Sequence, residues 1–209
     1  MPKIIGLVSQ KGGVGKSTLA RAIASFFAGK GKNVKIADMD INQSTTYKWQ
    51  QRRLQSEIKP DISVECFGSV SQAIKQSKNY DLILFDGAPQ SNKSTSEIAK
   101  SADLIIIPSG LALDDLLPSV LLANSLKESG VPSKKIAFVL CRTGESKTEL
   151  SEARDYLKQT PYQLLPGQIP EKTAYRRAQD TGLSVVECRY KAPKIQALSV
   201  ITSIAKLLS

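Results

Sequence analysis

The chain has 209 residues, 41% of them hydrophobic, enough for one sizeable core and too few for two. Its apolar runs fall far short of a membrane span, the run at 4–8 is too short for a signal-peptide core, and three cysteines (Cys66, Cys141, Cys188) at no metal-binding spacing exclude a zinc, iron–sulfur or disulfide framework, so a reduced, cytoplasmic, single-domain protein over 1–209 is expected. Lysine and arginine exceed aspartate and glutamate by 29 to 19, a formal charge of +10 that points to a polyanionic partner, while the absence of histidine removes the commonest general base and metal ligand.

In chain order, residues 4–9 read as a strand and 16–29 as a helix. A strand at 34–37, a helix at 44–57 with a polar face rich in Lys, Gln and Arg, an alternating strand at 62–67 and a short helix at 70–76 follow. Residues 81–85 form a continuous apolar run, the pattern of a strand buried on both faces, and 104–108 and 136–140 repeat it. Helices fit 93–101, 114–129 and 147–158; a short strand at 163–165 and helices at 173–181 and 195–208 complete the chain. Strands alternating with long helices dictate βαβ units, hence an α/β fold with a mostly parallel twisted sheet flanked by helices on both faces. Ligands of such sheets bind beyond the carboxyl ends of the strands.

The first strand runs into Lys11-Gly-Gly-Val-Gly-Lys-Ser-Thr18 and then a helix. Gly12, Gly13 and Gly15 let the backbone curl around Val14 with its N–H groups inward, an anion nest at a helix N-terminus. In a P-loop of this kind Lys16 reaches the β- and γ-phosphates and the Ser17 hydroxyl binds Mg²⁺, with Thr18 beside it. The usual Gly-x-x-x-x-Gly-Lys-Ser/Thr pattern requires glycine at position 10; Gln10 stands there, and Lys11 with the Gly12-Gly13 pair replaces it.

Lys-Gly-Gly-x-Gly-Lys-Ser/Thr with that extra lysine resembles the deviant Walker A motif of the ParA and MinD superfamily of P-loop ATPases, most closely the small ParA-type partition ATPases. The resemblance implies an ATP hydrolase that uses ATP/ADP and Mg²⁺, with catalytic roles for Lys11, Lys16 and Asp40. It also implies an ATP-dependent homodimer in which Lys11 reaches the partner's nucleotide.

Asp38-Met-Asp40 closes the second strand, and two carboxylates at a strand end suit metal and water handling beside a triphosphate. By the resemblance, Asp40 polarises the attacking water and Asp38 supports the Mg²⁺ region, although Ile41-Asn42 follows where the family has Pro-Gln. Four apolar residues deliver Asp86 in the Walker B manner, to the metal's water shell. Gly87 replaces a common hydroxyl residue and suits a switch that senses the γ-phosphate; Pro89 is kept. Ala102-Asp103 with the run to Pro108 is also similar to ParA, and Arg142 with Pro170-Glu171 occupies positions where the family contacts the adenine ring.

Nothing resembles a kinase catalytic loop or an acceptor domain, so the expected output is a change of association rather than a second product. ParA-type proteins bind DNA non-specifically as ATP dimers and are released when a ParB-like or other adaptor stimulates hydrolysis. That implies a nucleoid-associated partition or positioning ATPase. Lys172, Arg176, Arg177, Arg189, Lys191 and Lys194 crowd one region against Glu171, Asp180 and Glu187, and are expected to meet DNA phosphates. The alternative is a MinD-like membrane-associated positioning ATPase. Ile195, Leu198, Ile201, Ile204 and Leu208 do share one helical face, but Lys206 is the only basic residue among them and no aromatic is present. A helix docked on the core is expected there instead, and no membrane partner.

Overall fold

The fold follows from where the apolar runs can hide. In a computed structural model describing residues 2–89 and 92–208, the strands β1 (Lys3–Leu7), β2 (Val34–Asp38), β3 (Ser63–Cys66), β4 (Leu82–Asp86), β5 (Leu104–Ser109), β6 (Ile136–Thr143), β7 (Gln163–Leu164) and β8 (Ile169–Pro170) form one parallel sheet. Its order is β3-β2-β4-β1-β5-β6-β7, with β8 pairing a later stretch of β6 than β7 does. Between the strands run α1 (Lys16–Ala28), α2 (Thr45–Gln55), α3 (Val70–Lys75), α4 (Asn92–Ser101), α5 (Leu113–Glu128) and α6 (Lys147–Lys158), and after the last strand come α7 (Thr173–Asp180) and α8 (Lys191–Leu207).

Strand side chains alternate between two cores, as a period of two requires. Ile5, Leu7, Ile36, Leu84 and Ile106 pack on one face with α1 and α8. Val8, Ala37, Ile83, Phe85 and Ile105 pack on the other with α4, α5 and α6. Every residue of β2, β4 and β5 is buried, which explains the continuous apolar runs of β4 and β5; β2 buries Lys35 and Asp38 as well.

Most boundaries lie within two residues of the sequence expectation. β6 runs three residues past its expected end, to Thr143, and the last helix differs both in its start and in its buried face. The last helix begins at Lys191, not 195, because Pro193 sits in its first turn, where its missing N–H would have no partner anyway. The expected apolar stripe of that helix is rotated: Ile195 is 56% exposed, while Ala197, Val200, Ile201 and Ile204 are buried against the core. The apolar face of α8 is thus already covered, and among the described residues no helix is long and apolar enough to cross a membrane.

The C-terminal segment is held by one buried cation. Arg53 of α2 is 1% exposed and pairs bidentately with Glu187 (Nη1–Oε2 2.9 Å, Nη2–Oε1 2.8 Å). It also donates to the carbonyls of Pro60 and Gly182 and lies over the Trp49 ring. Burial raises the Glu187 carboxyl, but the hydrogen bonds from Arg53 and from the Ser184 N–H outweigh it and leave it below its ordinary value of 4.5. Glu187→Ala would leave Arg53 buried and unpaired, so we expect about 3 kcal/mol of destabilisation in urea unfolding at neutral pH. Because the folded carboxyl value is depressed, the wild-type advantage should persist down to about pH 4.5 and shrink as pH falls further, through the lower folded value. An equal loss at all pH values would refute the pair's role.

Candidate nucleotide-binding site

β1 leads into a loop that returns as α1. Gly13 (φ 75°) and Gly15 (φ 113°) occupy the left-handed region that other residues avoid. At Gly15 a side chain is also excluded sterically, since a Cβ would lie 3.0 Å from that of Cys141 on β6. Gly15 caps α1 without a side-chain hydrogen bond, leaving the first-turn N–H groups for a ligand. The Ser9 hydroxyl braces the loop, accepting from the Lys11 N–H and donating to the Lys11 carbonyl (both 2.9 Å). Lys16 is 6% exposed and donates to the same carbonyl at 3.1 Å. Burial lowers its ammonium from the usual value, against the pull of Asp86 and Asp40.

Sheet order brings the carboxylates to this loop, because β4 lies between β1 and β2. Register pairs Asp86 with both Leu7 and Asp38. One Asp86 oxygen accepts from the Thr46 hydroxyl at 2.7 Å; the other is buried and has no hydrogen-bond partner among the described residues. Burial pushes its carboxyl up, partly opposed by that hydroxyl. Asp38 is differently employed. Its oxygens accept the N–H groups of Thr46 (3.0 Å), Tyr47 (3.2 Å) and Asp40 (3.2 Å), so it shapes the loop and the start of α2. Burial raises its carboxyl too, opposed by those N–H groups. Asp40 is half-buried and holds the Gln43 N–H at 3.1 Å.

One cavity is lined by Gly12, Gly13, Gly15, Lys16, Ser17 and Thr18 together with Asp38, Asp40, Asp86 and Gly87. Among the described residues no three Asp, Glu, Cys or His side chains form a closed metal cage. The orphaned Asp86 oxygen and the Ser17 hydroxyl, 3.5 Å from that of Thr45, instead fit a Mg²⁺ that keeps waters and takes phosphate oxygens. Gly87 has a steric reason to be glycine besides any switching: a Cβ there would lie 2.7 Å from the Leu7 carbonyl.

A second cavity adjoins at Gly15 and Thr18 and contains Arg142, Pro170 and Glu171, the expected adenine neighbours. Glu171 accepts from Arg142 (3.3 Å) and Arg176 (3.0 Å), and Arg142 donates to the Gly13 carbonyl at 3.2 Å. Tyr175 and Gln179 of α7 line it as well. Lys11 points away, to α5: its Nζ lies 2.6 Å from the Asp114 carbonyl and 2.7 Å from Asp115. Val14 is buried beside it.

The expected DNA residues are spread over more than one cavity and the start of α8. Lys172 and Arg176 line the adenine-side cavity, whereas Arg177 and Arg189 line a different one. Lys191 and Lys194 open α8. Lys172, Arg177, Arg189, Lys191 and Lys194 have no ion-pair partner among the described residues; Arg176 has Glu171. Thr46, Asp115, Tyr175 and Gln179 were invisible to motif reading, since each acts across the fold. Arg21, pushed down to about 10 by burial, connects two of them, donating to Thr46 (3.2 Å) and Gln179 (3.1 Å).

A parallel sheet with a glycine-rich phosphate loop after its central strand, and carboxylates on the neighbouring strand ends, defines a P-loop nucleotide-binding fold. The chain matches the CobQ/CobB/MinD/ParA nucleotide binding domain over residues 5–185 and belongs to that family. It is 25% identical over 193 residues to "Maintenance of carboxysome distribution protein A" of Gloeobacter kilaueensis, covering 91% of this chain and 87% of that one. It is 27% identical over 184 residues to "Protein ParA" of Rhizobium radiobacter, covering 84% and 81%. The septum site-determining protein MinD of Pyrococcus horikoshii, solved with Mg-ADP, superposes with a TM-score of 0.78 at 19% identity, covering 99% of this chain and 97% of that one.

Proposed function

We propose that this protein is a ParA-type ATPase that dimerises on Mg-ATP, binds DNA without sequence preference, and uses hydrolysis to release it, so partitioning DNA or positioning another cargo with a ParB-like or other adaptor. The observation that carries this reading is the single cavity uniting Lys16, Ser17, Asp40 and Asp86. Lys16 is placed to neutralise transferring phosphate charge, and Asp40 to orient and polarise the attacking water. Ser17 and Asp86 would hold Mg²⁺, which when bound would supply further positive charge beside the phosphates. Lys11, partly exposed and held by Asp115 and the Asp114 carbonyl of α5, is the group that would leave those contacts to reach a partner's nucleotide. The name of the Gloeobacter relative, for maintenance of carboxysome distribution, supports an output of positioning.

The net charge of +10 and the unpaired Arg177, Arg189, Lys191 and Lys194 favour DNA as the polyanion. The covered apolar face of α8 speaks against a membrane surface. The test is the steady-state ATPase rate with and without non-specific duplex DNA across a salt series. Stimulation that fades as salt rises is expected, the DNA affinity falling with a log–log slope of about −0.9 per phosphate contact. Stimulation by anionic vesicles and not by duplex would overturn the DNA reading.

A further inference from the structure

α7 has two working faces. Tyr175, Arg176 and Gln179 face the adenine-side cavity. Ala174, Arg177, Ala178 and Thr181, at the i, i+3, i+4, i+7 spacing of one helical stripe, face another. That second cavity is about 240 Å³ and is closed on its far side by Leu183, Cys188, Arg189 and Tyr190. Its floor is apolar: Ala178 is 7% exposed and Cys188 2%. Its rim is not. Tyr190 is 61% exposed with no side-chain hydrogen bond among the described residues, and Arg177 and Arg189 are exposed without an acidic partner. The nearby acids do not neutralise them, since Glu187 is committed to Arg53 and Asp180 makes no ion pair with either.

An exposed aromatic ring and two free guanidinium groups around an apolar hollow match one kind of ligand: a flat ring carried on a phosphate chain. The ring stacks on the tyrosine and its edge enters the hollow, while flanking phosphates meet the arginines. A base inside a duplex is not available for this without being unpaired and unstacked. Resting on the DNA-binding reading above, we propose that the Tyr190–Arg177–Arg189 cavity takes an unpaired base of single-stranded DNA, so that this face distinguishes melted or single-stranded segments from duplex. The cavity is separate from the nucleotide cleft, and Arg53 holds the segment bearing Tyr190 in place through Glu187.

The test is fluorescence anisotropy of the full chain, in saturating Mg-ATP, with labelled oligothymidylate and with a duplex of matched length. Tyr190→Ala should weaken the single strand roughly tenfold and leave the duplex within about twofold, while Tyr190→Phe, which keeps the ring, should bind like the wild type. Arg177→Ala with Arg189→Ala should weaken both forms and reduce the salt slope by about two. Unchanged thermal melting of the Tyr190 variants would show that the fold is intact. If Tyr190→Ala left single-strand binding untouched, or weakened both forms equally, the base site would be wrong, with the duplex-binding reading still standing. Full competition by free thymidine monophosphate at equal base concentration would replace the strand with a mononucleotide as ligand. Failure of the wild type to bind either DNA would overturn this site and the DNA-binding reading together.

Discussion

Lys16→Ala is expected to weaken ATP binding on the order of 100-fold, about 3 kcal/mol, and to remove measurable turnover. Lys16 is almost fully buried, and apart from the Lys11 carbonyl no hydrogen-bond acceptor engages its ammonium among the described residues. Burial lowers its pKa, so the empty protein holds this charge at a disadvantage, which bound phosphate oxygens would reverse. The same fact predicts the control: the substitution should leave thermal unfolding of the nucleotide-free protein unchanged or slightly improved. Titration with a fluorescent ATP analogue checks the first claim and a melt checks the second. Wild-type ATP affinity in the variant would remove Lys16 from the phosphate site.

Asp40→Ala should behave differently. Turnover should fall about 100-fold or more, the range lost with a positioned base, while nucleotide affinity stays within a few-fold of wild type. Asp40 lines the same cavity as Lys16 but stands on the loop after β2, where its carboxylate holds the Gln43 N–H and its carbonyl the Ser44 N–H. Those bonds fix its position in the absence of any ligand. Gel filtration with Mg-ATP should then show the dimer accumulating, because formation is spared and release is not. Phosphate release at the wild-type rate would refute the water-activating role.

Most of this site was legible because its parts are local. Lys11 to Thr18 are contiguous, and a strand before them with a helix after them dictates the loop's place. Asp86 ends a strand whose apolar run announces it, and Asp38 ends the short β-branched strand after α1. What remained hidden depends on contacts across the fold. Asp115 meets Lys11 from 104 residues away, and Gln179 meets Thr18 and Arg21 from more than 150. No spacing rule encodes such pairs. The polar end of β6 was hidden for another reason: Arg142 has φ 54° and lies where the pairing with β8 shifts register, so Cys141-Arg-Thr does not read as strand. Which of the basic residues share a surface was not legible, because neighbours in sequence need not be neighbours in space. Arg176 and Arg177 lie about 100° apart around α7 and serve different cavities.

β4 carries one more consequence. Its core-facing residues are apolar on both sides, so sliding it by two positions between β1 and β2 would keep every face greasy. Hydrophobicity alone therefore does not lock that strand. Its polar ends do. Asp81 accepts the Asn33 N–H at one end, and Asp86 accepts the Thr46 hydroxyl at the other. A slipped strand would forfeit both and strand a carboxylate in the core. The acid that faces the phosphate cavity thus also acts as a stop on the chain's own assembly, selecting one alignment of the central strand from several that its oily side chains would accept.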